Sequence, residues 1–188
     1  MKNKSSIIII AIVTLLVSIA CVWNIGGPDY PQSKIPVSTE ELTNMQQQIE
    51  QAVLDGVITG EITLFIAESQ ITSYLDTKLA AQENPLITDP QVYLQDGKFL
   101  VYGTVTKGYF EATVEVIFTV SIDSNGKLIL ELSSADFGPF EVPDDLKEVI
   151  TSLVTEAYTG SLGPIATGFK LEGIVIADGL MMIVGRIR

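Results

Sequence analysis

The chain has 188 residues, enough for one domain with its own hydrophobic core and an additional segment. It carries 23 acidic and 11 basic residues, a net charge of −12, and a surface of that sign repels nucleic acid and anionic lipid headgroups. The chain has no histidine and a single cysteine, Cys21. This composition excludes an intramolecular disulfide, Cys/His zinc sites and histidine-based nucleophile triads.

The N-terminal segment predicts a membrane anchor. Lys2 and Lys4 precede a run of nineteen uncharged residues from Ile7 to Ile25, which as a helix would span about 28 Å, one bilayer core. Because the cationic residues come first, the positive-inside rule favours a cytoplasmic N-terminus. We therefore expect residues 1–26 to form a single-pass signal anchor in the cell membrane, with the rest of the chain extracytoplasmic.

Two other interpretations of this segment remain open. A cleaved signal peptide would need a small-residue exit site, whereas Val22, Trp23 and Ile25 prolong the apolar run. Lipidation of Cys21 is the second, because Ile19-Ala20-Cys21 fits the end of a lipobox, although Ser18 stands where a branched apolar residue is expected. The uncleaved and lipidated forms both tether the chain to a membrane.

After a Pro/Gly-rich spacer at 27–37, residues 38–188 are predicted to form one α+β domain. An amphipathic helix begins at the capping box Ser38/Glu41 and stops at Gly56, and a second helix covers 68–82. A third helix is expected over 143–159, where acidic residues follow Pro143.

Strands at 91–95, 98–106, 109–122 and 127–134 predict an antiparallel meander with type I′ turns at Asp96-Gly97 and Asn125-Gly126. A last hairpin turns at Asp178-Gly179. The first and last hairpins share a glycine six residues after the turn glycine, Gly103 and Gly185. Either a helix-hairpin unit is duplicated, or common Asp-Gly hairpins recur by chance.

Strand alternation points to an apolar groove. Between 109 and 122 one face is apolar and the other polar, and fourteen residues extend about 45 Å, whereas the third helix is nearer 25 Å. The predicted fold is thus an N-terminal transmembrane helix, then a curved antiparallel sheet of about six to seven strands packed against two or three amphipathic helices. Either the helices cover the apolar face completely, or part of it stays open for an acyl chain. The groove residues would be Phe110, Val114, Val116, Phe118, Leu130 and Leu132 from the sheet and Ile150, Leu153 and Val154 from the helix.

The order of helix, Asp-Gly hairpin, long strands, "GPFEVPDDLKEVI" (138–150) and closing hairpin (171–185) resembles small exported bacterial envelope proteins of the LmeA-like and YpmS-like type. The resemblance covers roughly residues 58–188. It implies a hydrophobic ligand, a cell-envelope location and a likeness to tubular lipid-binding folds. It supplies no motif of functional residues.

Other candidates have simpler explanations. Asp144 and Asp145 would cap a helix, and Glu111 and Glu115 would lie on a solvated strand face. Tyrosines could line a ligand mouth or the rim of the core, namely Tyr74, Tyr93, Tyr102, Tyr109 and Tyr158. We expect a non-enzymatic protein, with no cofactor or metal, that binds a lipid or another apolar molecule. The alternatives are a structural envelope module that binds a protein partner through its acidic face and, more remotely, a hydrolase.

Overall fold

The computed structural model describes residues 23–144, 165 and 168–188, and the elements below are those of the described residues. The helices are α1 (Thr39–Thr59) and α2 (Glu68–Ala80). The strands are β1 (Trp23–Asn24), β2 (Glu61–Ala67), β3 (Thr88–Gln95), β4 (Lys98–Lys107), β5 (Phe110–Ile122), β6 (Leu128–Asp136), β7 (Phe169–Ala177) and β8 (Leu180–Ile187).

The larger sheet has five strands centred on β5. The antiparallel partner β4 takes one edge of β5 and continues to β3. The other edge is shared, because β1 pairs in parallel with Phe110 and Glu111 while β6 pairs antiparallel from Glu115 to Ile122. The antiparallel pairing of β3, β4, β5 and β6 confirms the meander predicted over 91–134. Its alternating β-branched residues and tight turns favour antiparallel neighbours.

The smaller sheet has the order β2-β8-β7 and packs against α1. Met45 and Ile49 lie one turn apart on the amphipathic helix α1 and are buried in the core of this sheet. Ser38 caps this helix as predicted, since its Oγ accepts from the backbone N–H of Glu40. The predicted capping box is not formed, because the N–H of Ser38 donates to Ser73 Oγ and the Glu41 carboxylate accepts from the Ser69 hydroxyl. The helix does not stop at Gly56, which is buried inside it, but ends at Gly60 in the left-handed conformation.

The predicted fold class is wrong in two respects. Residues 61–67 pair with the last hairpin to make a separate sheet, so the strands do not form one layer. The expected transmembrane helix is also wrong at its C-terminal end, the part that the structure describes. Trp23 and Asn24 there are extended and form hydrogen bonds with the start of β5. No helix in the described residues has the length and apolar character needed to cross a bilayer. Residues 7–22, which include Cys21, lie outside the described residues. Of the helix expected at 143–159, the part from residue 145 onward also lies outside them.

The first and last hairpins interlock through their turns. The N–H of Gly97 donates to the carbonyl of Ile176 at 3.0 Å, and the N–H of Gly179 donates to the carbonyl of Leu94 at 3.0 Å. Gly97 and Gly179 are 82 positions apart in the sequence, and so are Leu94 and Ile176. Replacing each residue of one bond by its counterpart 82 positions away therefore gives the other bond. The two hairpins are thus related by an approximate two-fold exchange, while their duplication stays a prediction.

The shared glycines have the same role in both copies. Each lies opposite a bulge, where β3 shifts register between Thr88 and Gln91 and β7 shifts between Leu171 and Gly173. A Cβ on Gly103 would lie 2.2 Å from Ile87 Cγ2, and one on Gly185 would lie 2.7 Å from the carbonyl oxygen of Lys170. A side chain at either position would collide with the segment that the bulge brings close.

Side chains of α2 close the edge of β3. Thr72, fully buried, accepts from the backbone N–H of Val92 at 3.0 Å, and a carboxylate oxygen of Glu68 accepts from the N–H of Leu94 at 3.2 Å. These bonds satisfy two backbone N–H groups that an outer strand would otherwise leave without a hydrogen-bond partner. The N–H groups of Val92 and Leu94 are therefore not available to pair with another strand.

Candidate functional site

The inner face of the five-stranded sheet is apolar and deeply buried at its centre. Strand alternation places Val114, Val116 and Phe118 of β5 on one side, and they are 0, 1 and 5% exposed. They share a core cluster with Leu79 of α2 and Phe137, which follows β6. In this region the sheet is filled by the protein's own side chains.

Burial falls off at the outer strand. Leu132 pairs with Phe118 and so points to the same face, yet it is 41% exposed. Leu130 and Leu128 precede it at alternate positions, pair with Val120 and Ile122, and are half-buried. We call these three leucines the β6 margin. They run for about 13 Å along the sheet at the usual rise per residue.

The β6 margin can accept hydrocarbon but offers little for chemistry. Leu128 and Leu130 are partly covered by the two core clusters and Leu132 is the most exposed of the three, so the strip offers an apolar contact surface without an acid, base or nucleophile. The pattern of β6 puts Ile129 and Glu131 on the opposite face. A ligand on the margin would therefore lie against side chains only of the inner face.

The predicted groove residues occupy three environments. Val114, Val116, Phe118 and Leu130 belong to one cluster, and Leu132 lies at its accessible border. Phe110 is eight residues from Phe118 along β5, about 26 Å away, and contacts β1 instead. Ile150, Leu153 and Val154 lie outside the described residues. Leu128 lies two residues before Leu130 on β6, so the same alternation could have added it to the site.

Two of the predicted mouth tyrosines belong to a cluster on the polar outer face, together with Tyr30. The ring of Tyr102 meets those of Tyr30 and Tyr93 edge-on at 6.2 and 5.8 Å between centroids. Tyr74 packs against the core of the smaller sheet, and Tyr109 is exposed beside β1. Tyr158 is outside the described residues.

The tyrosine cluster fixes the predicted spacer against β3 and β4. The hydroxyl of Tyr30 donates to the carbonyl of Asp89, Lys34 forms an ion pair with the Asp89 carboxylate, and Tyr93 donates to the carbonyl of Ser33. Nearby, the buried side chain of Gln91 accepts from the N–H of Ile35 and donates to its carbonyl. Residues 30–35 are therefore part of the folded structure.

Burial and neighbouring carboxylates keep these tyrosines protonated. Partial burial, followed by the interaction with Glu115, raises the pKa of Tyr102 to about 12. Burial and Asp89 raise the pKa of Tyr30, and burial and Glu68 raise that of Tyr93. Phenols shifted upward are poor general bases at neutral pH, so the cluster supports packing and hydrogen bonding rather than catalysis.

Arg186 and Asp123 form local interactions elsewhere in the described residues. Arg186 lies 3.6 Å from Glu61 and 3.4 Å from Glu172, and all three side chains are exposed. The Asp123 carboxylate accepts from the N–H groups of Lys127 and Asn125, which lowers its pKa and closes the β5–β6 loop. That loop is not the predicted type I′ turn, since only Gly126 has a positive φ. Among the described residues, no group of three or more acidic or cysteine side chains could hold a metal ion.

Comparisons with known proteins identify no family for this chain. No family model matches it, and no curated protein matches it. Among solved structures, a crystal structure of lipopolysaccharide binding protein shares 11% sequence identity with a TM-score of 0.22. The alignment covers 79% of this chain and 45% of that one, so the chain spans less than half the length of that protein. At this TM-score the likeness carries no argument about fold or function.

Proposed function

We propose that this protein binds a lipid or another apolar molecule through the β6 margin and does so without covalent chemistry. The observation that supports the proposal is the contrast across one pair of strands. Phe118 is 5% exposed and its cross-strand partner Leu132 is 41% exposed, although both side chains leave the same apolar face. An apolar face that continues beyond its cover presents a surface for an apolar ligand.

The geometry favours an extended hydrocarbon chain. Leu128, Leu130 and Leu132 follow one another at alternate positions on a single strand, so their side chains make a narrow strip of about 13 Å rather than a broad patch. A strip of that shape suits a part of an acyl chain lying along β6. The predicted extracytoplasmic location and the LmeA-like resemblance remain proposals beside this one.

Solvent extraction of the purified chain followed by mass spectrometry tests the proposal. We expect lipid in a fixed ratio to protein, and we expect Leu132→Asp to lower that ratio because a carboxylate on the margin is costly to cover with hydrocarbon. Ile129→Asp is the matched control, since Ile129 is 36% exposed on the opposite face of the same strand. Empty protein, or equal loss of lipid from both variants, would contradict the proposal.

A second candidate is a module that binds a protein partner, and the smaller sheet carries the observation that favours it. Phe65, Met182 and Val175 form one row across β2, β8 and β7, with Phe65 and Val175 about half exposed. The ion pairs of Arg186 join all three of these strands and would supply a polar rim. Lipid-free protein that binds a purified partner, and loses it on Phe65→Ser, would favour this function over lipid binding.

A further inference from the structure

Backbone bonds bring together four residues with exposed side chains where β1 meets the β4–β5 turn. Trp23 is 65% exposed, Tyr109 66%, Phe110 49% and Ile25 38%. The N–H of Trp23 donates to the carbonyl of Tyr109 and the N–H of Ile25 to that of Glu111, both at 2.9 Å. We call Trp23, Ile25, Tyr109 and Phe110 the aromatic tip.

The backbone beneath the aromatic tip is firmly held. Trp23 pairs in register with Phe110, so both side chains emerge on the same face of the sheet. The bonding continues inward, where Thr113 donates to the carbonyl of Gly26 at 3.1 Å. A Cβ on Gly27 would lie 2.1 Å from the carbonyl oxygen of Thr113, so this glycine permits the close approach. The tip therefore presents its aromatic side chains from a paired sheet edge.

The chemistry of the tip fits the interfacial region of a lipid bilayer. Tryptophan and tyrosine favour that region because an apolar ring and a polar N–H or O–H are satisfied there together. Lys107 is the sole charged residue between Lys98 and Glu111, so the turn is cationic in a chain whose net charge is −12. A lysine at this place can reach lipid phosphates while the tip inserts.

The position of the tip in the chain supports the same occupant. Residues 7–22 contain no charged side chain and lead directly into Trp23. The apolar row on the smaller sheet lacks this continuity. Of the tip and this row, the tip is the one that adjoins further apolar sequence.

We propose that the aromatic tip is a membrane-docking surface that inserts Trp23, Tyr109 and Phe110 into the interface of a lipid bilayer. The inference goes beyond the proposed lipid-binding function and does not rest on it. The margin residue Leu132 pairs with Phe118, about 26 Å along β5 from Phe110, so the two sites can fail separately. Docking requires no uptake of lipid by the β6 margin.

The test uses a fluorescent reporter that is remote in sequence from the N-terminal apolar stretch. Trp23 is the sole tryptophan of the chain, so combining Trp23→Phe with Tyr109→Trp leaves one indole, in the β4–β5 turn. The full chain is mixed with phosphatidylcholine vesicles, with or without bromine on the acyl chains, because this lipid carries phosphate without a net charge. A matched control combines Trp23→Phe with Phe65→Trp, because Phe65 is 52% exposed on the smaller sheet.

Docking of the tip predicts blue-shifted emission from the Tyr109→Trp reporter in vesicles and quenching by the brominated lipid, with neither effect in the Phe65→Trp control. Emission of the Tyr109→Trp reporter that stays at the water-exposed value while the chain is bound to vesicles would overturn the proposal. So would quenching of the Phe65→Trp control alone, or failure of the full chain to bind vesicles. A blue shift that grows with protein concentration without lipid would assign the tip to a second copy of the chain.

A binding measurement adds a second, independent readout. Replacing both Tyr109 and Phe110 by serine removes two side chains that are half or more exposed, and should weaken partitioning into the same vesicles about tenfold or more. The extraction experiment on this double variant should still recover lipid from the β6 margin. Unchanged partitioning would overturn the assignment of the tip whatever the extraction gives.

Discussion

Truncating Leu132 to alanine should weaken the binding of an apolar ligand without unfolding the protein. Full burial of a leucine side chain contributes about 1.5–3 kcal/mol, and Leu132 is 41% exposed before a ligand covers it. Covering the remainder is thus worth about 1 kcal/mol, so the Kd for ligand should rise about fivefold. The loss follows from missing contact area rather than from any change in charge.

The assay is titration of the delipidated chain with a fatty acid that carries a fluorophore at its terminal carbon, with urea unfolding of each variant in parallel. Ile129→Ala is the control, because Ile129 has similar exposure on the other face of β6. We expect its Kd to match that of the unmodified chain. Equal weakening by the two substitutions, or an unchanged Kd for folded Leu132→Ala, would refute the assignment of the margin.

Three further predictions concern the scaffold. Phe118→Ala should lower the free energy of unfolding by about 3–5 kcal/mol in urea titrations, since Phe118 is 5% exposed; a loss as small as that of Leu132→Ala would mean that the centre of the inner face is not packed. Gly103→Ala should cost about 1–3 kcal/mol because the new Cβ would lie 2.2 Å from Ile87 Cγ2. Adding Ile87→Ala should recover part of that loss in the same assay, and strictly additive effects would argue against the contact. Folding raises the pKa of Tyr102 from near 10 to about 12, so its contribution to the free energy of unfolding is complete below pH 10 and is lost as pH rises toward 12. Tyr102→Phe should flatten the dependence of the unfolding free energy on pH in that range, and an unchanged dependence would contradict the pKa shift.

Local patterns predicted much of the fold. The Asp-Gly turns indicated the hairpins, and the alternation of 109–122 indicated the two faces of that strand. Each signal is carried by residues that are close together in the sequence. Two features have no local signal. The pairing of β2 with β8 joins residues more than a hundred positions apart, and the bonds of Gly97 and Gly179 join turns to strands of another sheet.

The candidate site was predicted in part for the same reason. Alternation placed Phe118 and Leu132 on one face, but burial depends on what lies opposite, and only the folded chain distinguishes the packed Phe118 from the accessible Leu132. The tip was missed because Trp23 was assigned to a helix on hydropathy alone. Hydropathy alone does not distinguish a short extended segment from a helix within an apolar run. Only the pairing of Trp23 with Phe110 shows that this segment is a strand.

The location of bound hydrocarbon is the most direct test of the β6 margin. Methyl NMR spectra of the chain with a fatty acid that carries a nitroxide on its hydrocarbon tail would report which side chains lie near it. We expect the methyl signals of Leu128, Leu130 and Leu132 to broaden strongly and that of Ile129 to be much less affected. Broadening centred on Val175 of the smaller sheet, or none above that of a free nitroxide, would contradict ligand binding at the margin.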